Sequence, residues 1–128
     1  MRHFLLCLSL ALSPLAAQAG DIDSAAALHA LAQPGAVLID VRSQEEFASG
    51  ALPGAKLIPH GDIAARIAEV APDKNTPVVL YCRSGRRSSI AQDELKALGY
   101  TQVINAGGYD QFKLARDNQS EGPTCTNC

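Results

Sequence analysis

The chain has 128 residues, about the length of one domain, and a formal net charge of −2 at pH 7. Hydrophobic residues make up 47% and charged residues 19%, which excludes a disordered chain, an acidic-tail protein and a strongly basic nucleic-acid-binding protein. The four cysteines, at positions 7, 82, 125 and 128, are too few and too unevenly spaced for a disulfide-stapled scaffold.

The first 19 residues have the pattern of a secretory signal peptide. Arg2 precedes an apolar run from Phe4 to Leu12, and Ala17-Gln18-Ala19 fits a cleavage site of small residues. The apolar run is too short for a membrane span, which needs about 20 apolar residues. We therefore expect removal of residues 1–19, export to the periplasm of a Gram-negative cell, and no stable membrane insertion.

Short helices and strands alternate along residues 20–116, which we expect to form one domain. In the first half, the pattern predicts helices at 24–31, 44–49 and 61–70 and strands at 36–41 and 56–58. Asp23 or Ser24 is expected to cap the first helix, and Asp62 the third.

The second half predicts the centre of the sheet. Val78–Tyr81 is apolar on both faces, as in a central parallel strand. After it we expect a loop, a helix at 87–98 closed by Gly99, a strand at 102–105, a turn at Gly107-Gly108 and a helix at 109–116. This alternation predicts an α/β fold with a mostly parallel sheet and helices on both faces. Residues 117–128 lack periodicity and are predicted to be a flexible tail.

Cys82 ends the central strand and begins a loop rich in arginine, Cys82-Arg83-Ser84-Gly85-Arg86-Arg87-Ser88. Ligands bind at such strand ends in open α/β sheets. Loop amides, the dipole of the following helix and the arginines all favour a thiolate, so we expect the Cys82 pKa to lie below its ordinary value of about 8.5. An exposed thiolate there would be a nucleophile. The alternatives are a buried structural cysteine or one that pairs with the tail.

The loop at 82–88 resembles the active-site loop of single-domain rhodaneses, the thiosulfate sulfurtransferases, and most of all that of the small periplasmic ones. Further segments are similar to the family in order and spacing: Leu38–Arg42 with Glu45–Phe47, Gly50–Ala55, Leu98–Tyr100 and Asn105–Tyr109. The resemblance covers about residues 24–116 and implies a rhodanese-like fold. Two positions depart from the family: Ala51 replaces a His, which we expect to have a structural effect, and Phe112 conservatively replaces a frequent Trp.

The resemblance implies sulfur transfer through Cys82 without a metal or cofactor. The thiolate would attack the outer sulfur of thiosulfate, sulfite would leave, and cyanide or a thiol would take the sulfur from the Cys82 persulfide. Arginine charge would attract the anionic donor, and the amides of residues 83–87 would stabilise the charged sulfur. The implied substrate-binding residues are Arg83, Ser84, Gly85, Arg86, Arg87 and Ser88.

Asp40 and Arg42 lie at the end of the first predicted strand. We expect them to form an ion pair that fixes the neighbouring loop, and the alternative is that Arg42 faces the pocket. We also expect a monomer that needs no partner beyond its small-molecule donor and acceptor.

Other functions fit the residues less well. Related phosphatases and arsenate reductases have a longer loop that ends in Arg at the sixth position after the cysteine, where this chain has Ser88. A non-catalytic rhodanese-like module lacks the nucleophile, which is present here. No glycine-rich nucleotide loop and no zinc-ligand set occurs.

Cys125 and Cys128 have the CxxC spacing of a redox pair near the end of the chain. One interpretation is a disulfide within the pair, or thiols without a role. The other is a sulfur acceptor or resolving pair for a Cys82 persulfide, since a flexible tail of this length could span about 20 Å.

Overall fold

The computed structural model describes residues 21–122. The predicted signal peptide, Cys125 and Cys128 lie outside the described residues. The helices are α1 (Ser24–Leu31), α2 (Gln44–Ala48), α3 (Ile63–Val70), α4 (Arg86–Ala97) and α5 (Tyr109–Ser120), and the strands are β1 (Val37–Asp40), β2 (Lys56–Leu57), β3 (Val78–Cys82) and β4 (Val103–Gly108). Within residues 21–122 no helix is long and apolar enough to cross a membrane.

The four strands form one parallel sheet in the order β2-β1-β3-β4. Every residue of β3 is buried, because this strand has a neighbour on each side and helices over both faces. The prediction of an α/β fold with a central parallel strand at Val78–Tyr81 is therefore confirmed.

Two apolar layers cover the sheet. Along β3, Val78, Leu80 and Cys82 face one layer while Val79 and Tyr81 face the other, as the twofold alternation of a strand requires. The first layer is completed by α3 and α4, with Ile63, Ile67, Ala91 and Leu95. The second is completed by α1 and α5, with Ala27, Ala30 and Phe112. Phe112 is fully buried, so it packs into the core as an aromatic side chain at this position should.

The predicted turn at Gly107-Gly108 is wrong. Both glycines belong to β4, where Tyr81 pairs with Gly107 and Cys82 with Gly108. The strand register shifts between Leu80 and Tyr81, so β4 carries a bulge that skips Ala106. The Gly-Gly pair indicated a break in the chain, but Gly107 adopts φ +91° within the strand and both glycines still pair with β3.

The last helix ends four residues later than predicted, at Ser120 instead of Arg116. Lys113 and Asp117 form an ion pair one turn apart, 3.0 Å long, and the Ser120 hydroxyl donates to the Asp117 carbonyl at 2.7 Å. These local contacts extend the helix into a segment whose composition favoured a tail.

The residues predicted to cap α1 and α3 and to close α4 lie at the ends of those helices. Asp23 accepts a hydrogen bond from the Ala26 amide at the start of α1, and Gly99 adopts φ +96° after α4. Asp62 precedes α3, but its side chain makes no capping bond, because a 3-10 turn at His60–Asp62 already leads into the helix. Asp62 is therefore the N-cap residue of α3, as predicted, but without a side-chain hydrogen bond.

Candidate active site

Cys82 is the last residue of β3, and the chain turns sharply after it into α4. Gly85 makes this turn with φ +94°, a conformation that glycine adopts without strain. The helix begins one residue later, so its positive N-terminal end lies next to the sulfur.

Two groups of the loop donate to the Cys82 sulfur. The Gly85 N–H lies 2.9 Å from Sγ, and the Ser88 hydroxyl oxygen lies 3.5 Å from it. Burial raises the pKa of the Cys82 thiol, while the Ser88 hydroxyl lowers it. Backbone hydrogen bonds from Ser88, Ser84 and Gly85 lower the pKa further, so the net pKa lies below the ordinary value of a thiol.

We expected an exposed thiolate from the sequence, but the Cys82 sulfur is buried. Cys82 is 0% accessible, whereas Arg83 and Ser84 on the loop are exposed. The reason is that β3 is a central strand and the turn at Gly85 folds the loop back over its end. The thiol thus faces an apolar layer but also accepts hydrogen bonds from the loop, which an inert structural cysteine in an apolar core lacks.

Close backbone contacts fix the loop against β4. A methyl group at Gly108 would lie 2.7 Å from the Arg83 carbonyl oxygen, and one at Gly85 would lie 3.3 Å from the Gly107 Cα. The Ile22 side chain fills the remaining space, because a methyl group at either Gly85 or Gly107 would lie within 2.7 Å of an Ile22 carbon. Only glycine allows this approach at all three positions.

Arg87 is held by an acidic partner. Its guanidinium donates to both carboxylate oxygens of Glu46, at 2.7 and 3.0 Å. Glu46 also closes a capping box with Ser43 at the start of α2. The Arg87 hydrogen bonds lower the pKa of Glu46 to about 2. Glu46 is the main cause of a raised pKa of Arg87, and the nearby Cys82 sulfur contributes to it.

The predicted ion pair between Asp40 and Arg42 is present and buried. Arg42 Nη2 lies 2.7 Å from Asp40 Oδ2 and also donates to the Gly50 carbonyl oxygen at 2.7 Å. The Tyr81 hydroxyl donates to Asp40 Oδ2 at 2.7 Å and accepts from the Leu52 amide at 3.1 Å. This network joins the ends of β1 and β3 to the loop at 50–52.

Ala51 lies within that same loop, between the two backbone groups that the network holds. Because the Gly50 carbonyl and the Leu52 amide are both bonded, the loop is fixed without a side-chain hydrogen bond from position 51.

The arginines around the sulfur face different openings. Arg42 and Arg83 line one cavity of about 230 Å³ together with Glu46, Ser49, Tyr109 and Asp110. Arg86 lines a separate cavity with Ile22 and Ile90. The structure therefore does not gather Arg83, Arg86 and Arg87 around one point, and the Arg42 that pairs with Asp40 also faces a cavity.

Several residues of the site were not assigned a role from sequence. Asn105 is fully buried and bonds to the loop, Glu46 binds Arg87, and Tyr81 binds Asp40. Asparagine is uncommon in strands, so Asn105 in an otherwise apolar segment was the one available signal. Within residues 21–122 no three His, Cys, Asp or Glu side chains lie together as metal ligands would.

A loop of this geometry, closing on a buried cysteine at the end of a parallel strand, can be compared with known families. Residues 24–115 match the family model of the rhodanese-like domain. The chain belongs to the rhodanese-like family. The resemblance seen in the sequence is therefore confirmed.

Rhodanese-like relatives include enzymes from bacteria and from humans. The thiosulfate sulfurtransferase PspE of Escherichia coli (strain K12) is 46% identical over 78 residues, which cover 61% of this chain and 75% of that protein. The thiosulfate:glutathione sulfurtransferase of Homo sapiens is 34% identical over 95 residues, covering 64% of this chain and 83% of the relative.

Solved rhodanese structures share the fold. A rhodanese with anions from E. coli superposes with a TM-score of 0.57 at 43% identity and covers 59% of this chain and 88% of its own. The human single-domain sulfurtransferase TSTD1 gives a TM-score of 0.59 at 32% identity and covers 68% of this chain and 88% of its own.

Proposed function

We propose that this rhodanese-like chain moves sulfane sulfur from thiosulfate, or a related small anion, to a thiol or cyanide through a persulfide on Cys82. The observation that carries the proposal is the hydrogen bond from the Gly85 amide to Cys82 Sγ, 2.9 Å long, at the positive end of α4. A sulfur held this way is stabilised as an anion, both as a thiolate and as a persulfide.

The class of enzyme predicted from sequence, a sulfurtransferase, is confirmed by the relatives, since those from E. coli and from humans are sulfurtransferases by name. Their names also specify thiosulfate, and one solved relative contains anions. These findings support a small anionic donor for this chain as well.

The reaction balances without an external oxidant or cofactor. The Cys82 thiolate attacks the outer sulfur of thiosulfate, the sulfur–sulfur bond of the donor breaks, and sulfite leaves with the bonding electron pair. The acceptor then attacks the terminal sulfur of the persulfide. The electron pair of that bond returns to Cys82 as a thiolate, and thiocyanate or an acceptor persulfide is released.

The residues around Cys82 have different roles according to their positions in the loop. Arg83 lines the cavity beside the loop together with Arg42, which is paired with Asp40, and with the acidic Glu46 and Asp110, so Arg83 is the cation proposed to attract the dianion. The backbone of Ser84 and Gly85 and the Ser88 hydroxyl hold the sulfur. Because Cys82 is fully buried, the donor would reach the sulfur only after the loop opens, and Arg87 is close enough for the sulfur to contribute to its raised pKa.

The alternatives have less support. A phosphatase-type loop needs a guanidinium at the sixth position after the cysteine, and that position holds Ser88, whose hydroxyl points inward to Asn105 at 2.7 Å. A non-catalytic module does not require donors arranged around a thiol. Arg86, on a different cavity, is assigned only to the general positive charge of the loop.

We also propose export, on the strength of the signal-peptide pattern in residues 1–19 and of that pattern alone. The protein would act in the periplasm as a monomer. N-terminal sequencing of protein recovered from the periplasmic fraction tests both cleavage after Ala19 and the compartment. Sedimentation measures the mass of the protein in solution and so tests whether it is a monomer.

The tail cysteines are proposed as acceptors of the persulfide sulfur. From Tyr109 to Ser120, α5 carries the chain about 18 Å, and Cys125 follows five residues later in the sequence. Persulfide on Cys82 should last longer in a Cys125→Ser/Cys128→Ser variant than in the wild-type protein. Equal lifetimes of the Cys82 persulfide in the variant and in the wild-type protein would show that Cys125 and Cys128 do not accept its sulfur.

The experiment that tests the main proposal measures thiocyanate from thiosulfate and cyanide. Wild-type protein should turn over, and Cys82→Ala should lose at least about a thousandfold in rate, because the covalent step has no other thiol among residues 21–122. Mass spectrometry of the thiosulfate-treated protein should add one sulfur to the peptide that contains Cys82. Thiocyanate production that survives in Cys82→Ala would overturn the assignment.

A further inference from the structure

Asn105 is the one fully buried amide side chain of the described residues, and every polar atom of that side chain is bonded. It lies in β4 directly before the bulge, and its Oδ1 accepts from the Gly107 amide at 2.9 Å. Its Nδ2 donates to the Gly85 carbonyl oxygen at 3.0 Å. Because an N–H can only donate and a carbonyl can only accept, these two partners fix which end of the amide faces which group.

The same side chain also reaches Ser88. The Ser88 hydroxyl lies 2.7 Å from Asn105 Oδ1, 3.0 Å from the Gly85 carbonyl oxygen and 3.5 Å from Cys82 Sγ. One hydroxyl proton thus has three acceptors within reach. Asn105 thus contacts Gly85 and Ser88, two of the residues that donate to the sulfur.

We propose that Asn105 is a positioning residue for the nucleophile: it holds Gly85 and Ser88 at the distances from which they donate to Cys82. The proposal deepens the function assigned to Cys82 and rests on it. The bulge explains how the side chain arrives there. It turns β4 so that a strand residue faces the start of α4, and the Gly107 amide locks the orientation.

The charged groups around Cys82 act separately from Asn105. Arg87 comes from α4 and is paired with Glu46 of α2, while Arg83 and Arg86 are exposed on the loop and at the helix start. Asn105 carries no charge, so removing it leaves all four groups in place. Any change in the Cys82 pKa then reports on the hydrogen bonds of the loop.

Substitution of Asn105 by Leu, which has a similar size and no polar atoms, tests the proposal. The rate of Cys82 alkylation by iodoacetamide is followed against pH by mass spectrometry of the peptide 75–83, so that the other cysteines do not interfere. We expect the Cys82 pKa to rise by about one unit, which is a tenfold smaller thiolate fraction at any pH below both values. An unchanged pKa overturns the proposal. A lower pKa also overturns it, since Asn105 would then merely compete for the Ser88 proton.

Gln92 supplies the matched control. It is 5% exposed and, like Asn105, joins α4 to β4 through its side chain, with Nε2 donating to the Val103 carbonyl oxygen at 2.9 Å. Gln92→Leu should lower the melting temperature as Asn105→Leu does, but it should leave the Cys82 pKa unchanged. Equal pKa shifts in the two variants would reduce Asn105 to a general structural contact.

Two further measurements keep the test independent of folding and of the sulfurtransferase assay. In wild-type protein, the NMR signals of the Asn105 side-chain NH₂ and the Gly85 amide should move together at the pH midpoint of Cys82 alkylation. In a Ser88→Ala background, Asn105→Leu should shift the pKa less than it does alone, because part of its effect passes through Ser88. Signals with no common midpoint, or additive shifts, contradict the proposal, and neither result depends on which substrate the enzyme uses.

Discussion

The guanidinium of Arg87 donates two hydrogen bonds, 2.7 and 3.0 Å long, to the carboxylate of Glu46, and so ties the start of α4 to α2. The two residues are 41 positions apart in the chain. Both side chains are under one third exposed, which makes the pair stronger than an ordinary surface ion pair. An arginine that the sequence assigns to substrate attraction is thus also part of the framework of the site.

The pair between Arg87 and Glu46 makes the free energy of unfolding depend on pH in the acid range. The pKa of Glu46 is about 2 in the folded protein against an ordinary value of 4.5, so the stabilisation is complete above pH 4.5 and is lost as the pH falls toward 2. Denaturant unfolding should show Glu46→Gln less stable than wild type by about 1 kcal/mol at pH 6, with the difference vanishing near pH 2. A difference that is constant from pH 6 to pH 2 would refute the pairing. Asp117→Asn, which breaks an exposed pair, should have a smaller effect.

A side chain at Gly85 should disable the loop. Gly85→Ala places a methyl group 2.6 Å from an Ile22 carbon at φ +94° and displaces the amide that donates to Cys82. Gly99→Ala is the control, because it has φ +96° with nothing within 4 Å of the new methyl group. Each variant should lose about 1 kcal/mol to backbone strain. Only Gly85→Ala should also lose thiocyanate production, at least tenfold, and equal activity in the two variants would show that the close contact is unimportant.

Ile22 should support the active loop from behind. It pairs with Asn105 as an isolated bridge at the edge of β4, and its side chain lies on Gly85 and Gly107 although it remains 50% exposed. We expect Ile22→Ala to reduce kcat for thiosulfate several-fold, because the loop loses the group packed against its turn. Ile90→Ala removes a similarly exposed side chain from the same cavity and should leave kcat unchanged. Equal kcat values in the two variants would show that Ile22 does not support the loop.

The Tyr81 hydroxyl should contribute to stability through two buried partners. Tyr81→Phe leaves the Leu52 amide without an acceptor and removes one donor from Asp40, at a cost of about 1–3 kcal/mol. Urea unfolding measures the loss. Tyr109→Phe, at the neighbouring aromatic ring 6.1 Å away, removes a hydroxyl outside this network and should cost less than Tyr81→Phe. A larger loss of stability in Tyr109→Phe than in Tyr81→Phe would argue against the network.

Much of the fold followed from local pattern. Residues 78–81 were predicted as a central strand because an apolar run of that length needs cover on both faces, and β3 is buried throughout. Gly107-Gly108 was misread, since the same glycines that break a chain elsewhere here allow β4 to pass within contact of Arg83. The end of α5 was misread because a side-chain ion pair outweighed a polar composition.

The sequence by itself determined the alternating architecture, the placement of Cys82 before a glycine turn and a helix, and the family, because each depends on residues close together in the chain. Tertiary structure alone decided that the sulfur is buried and which arginine meets Glu46. It also decided that Asn105, 20 positions after Gly85, holds the loop. Such contacts form only when distant segments pack together, and no spacing along the chain records them.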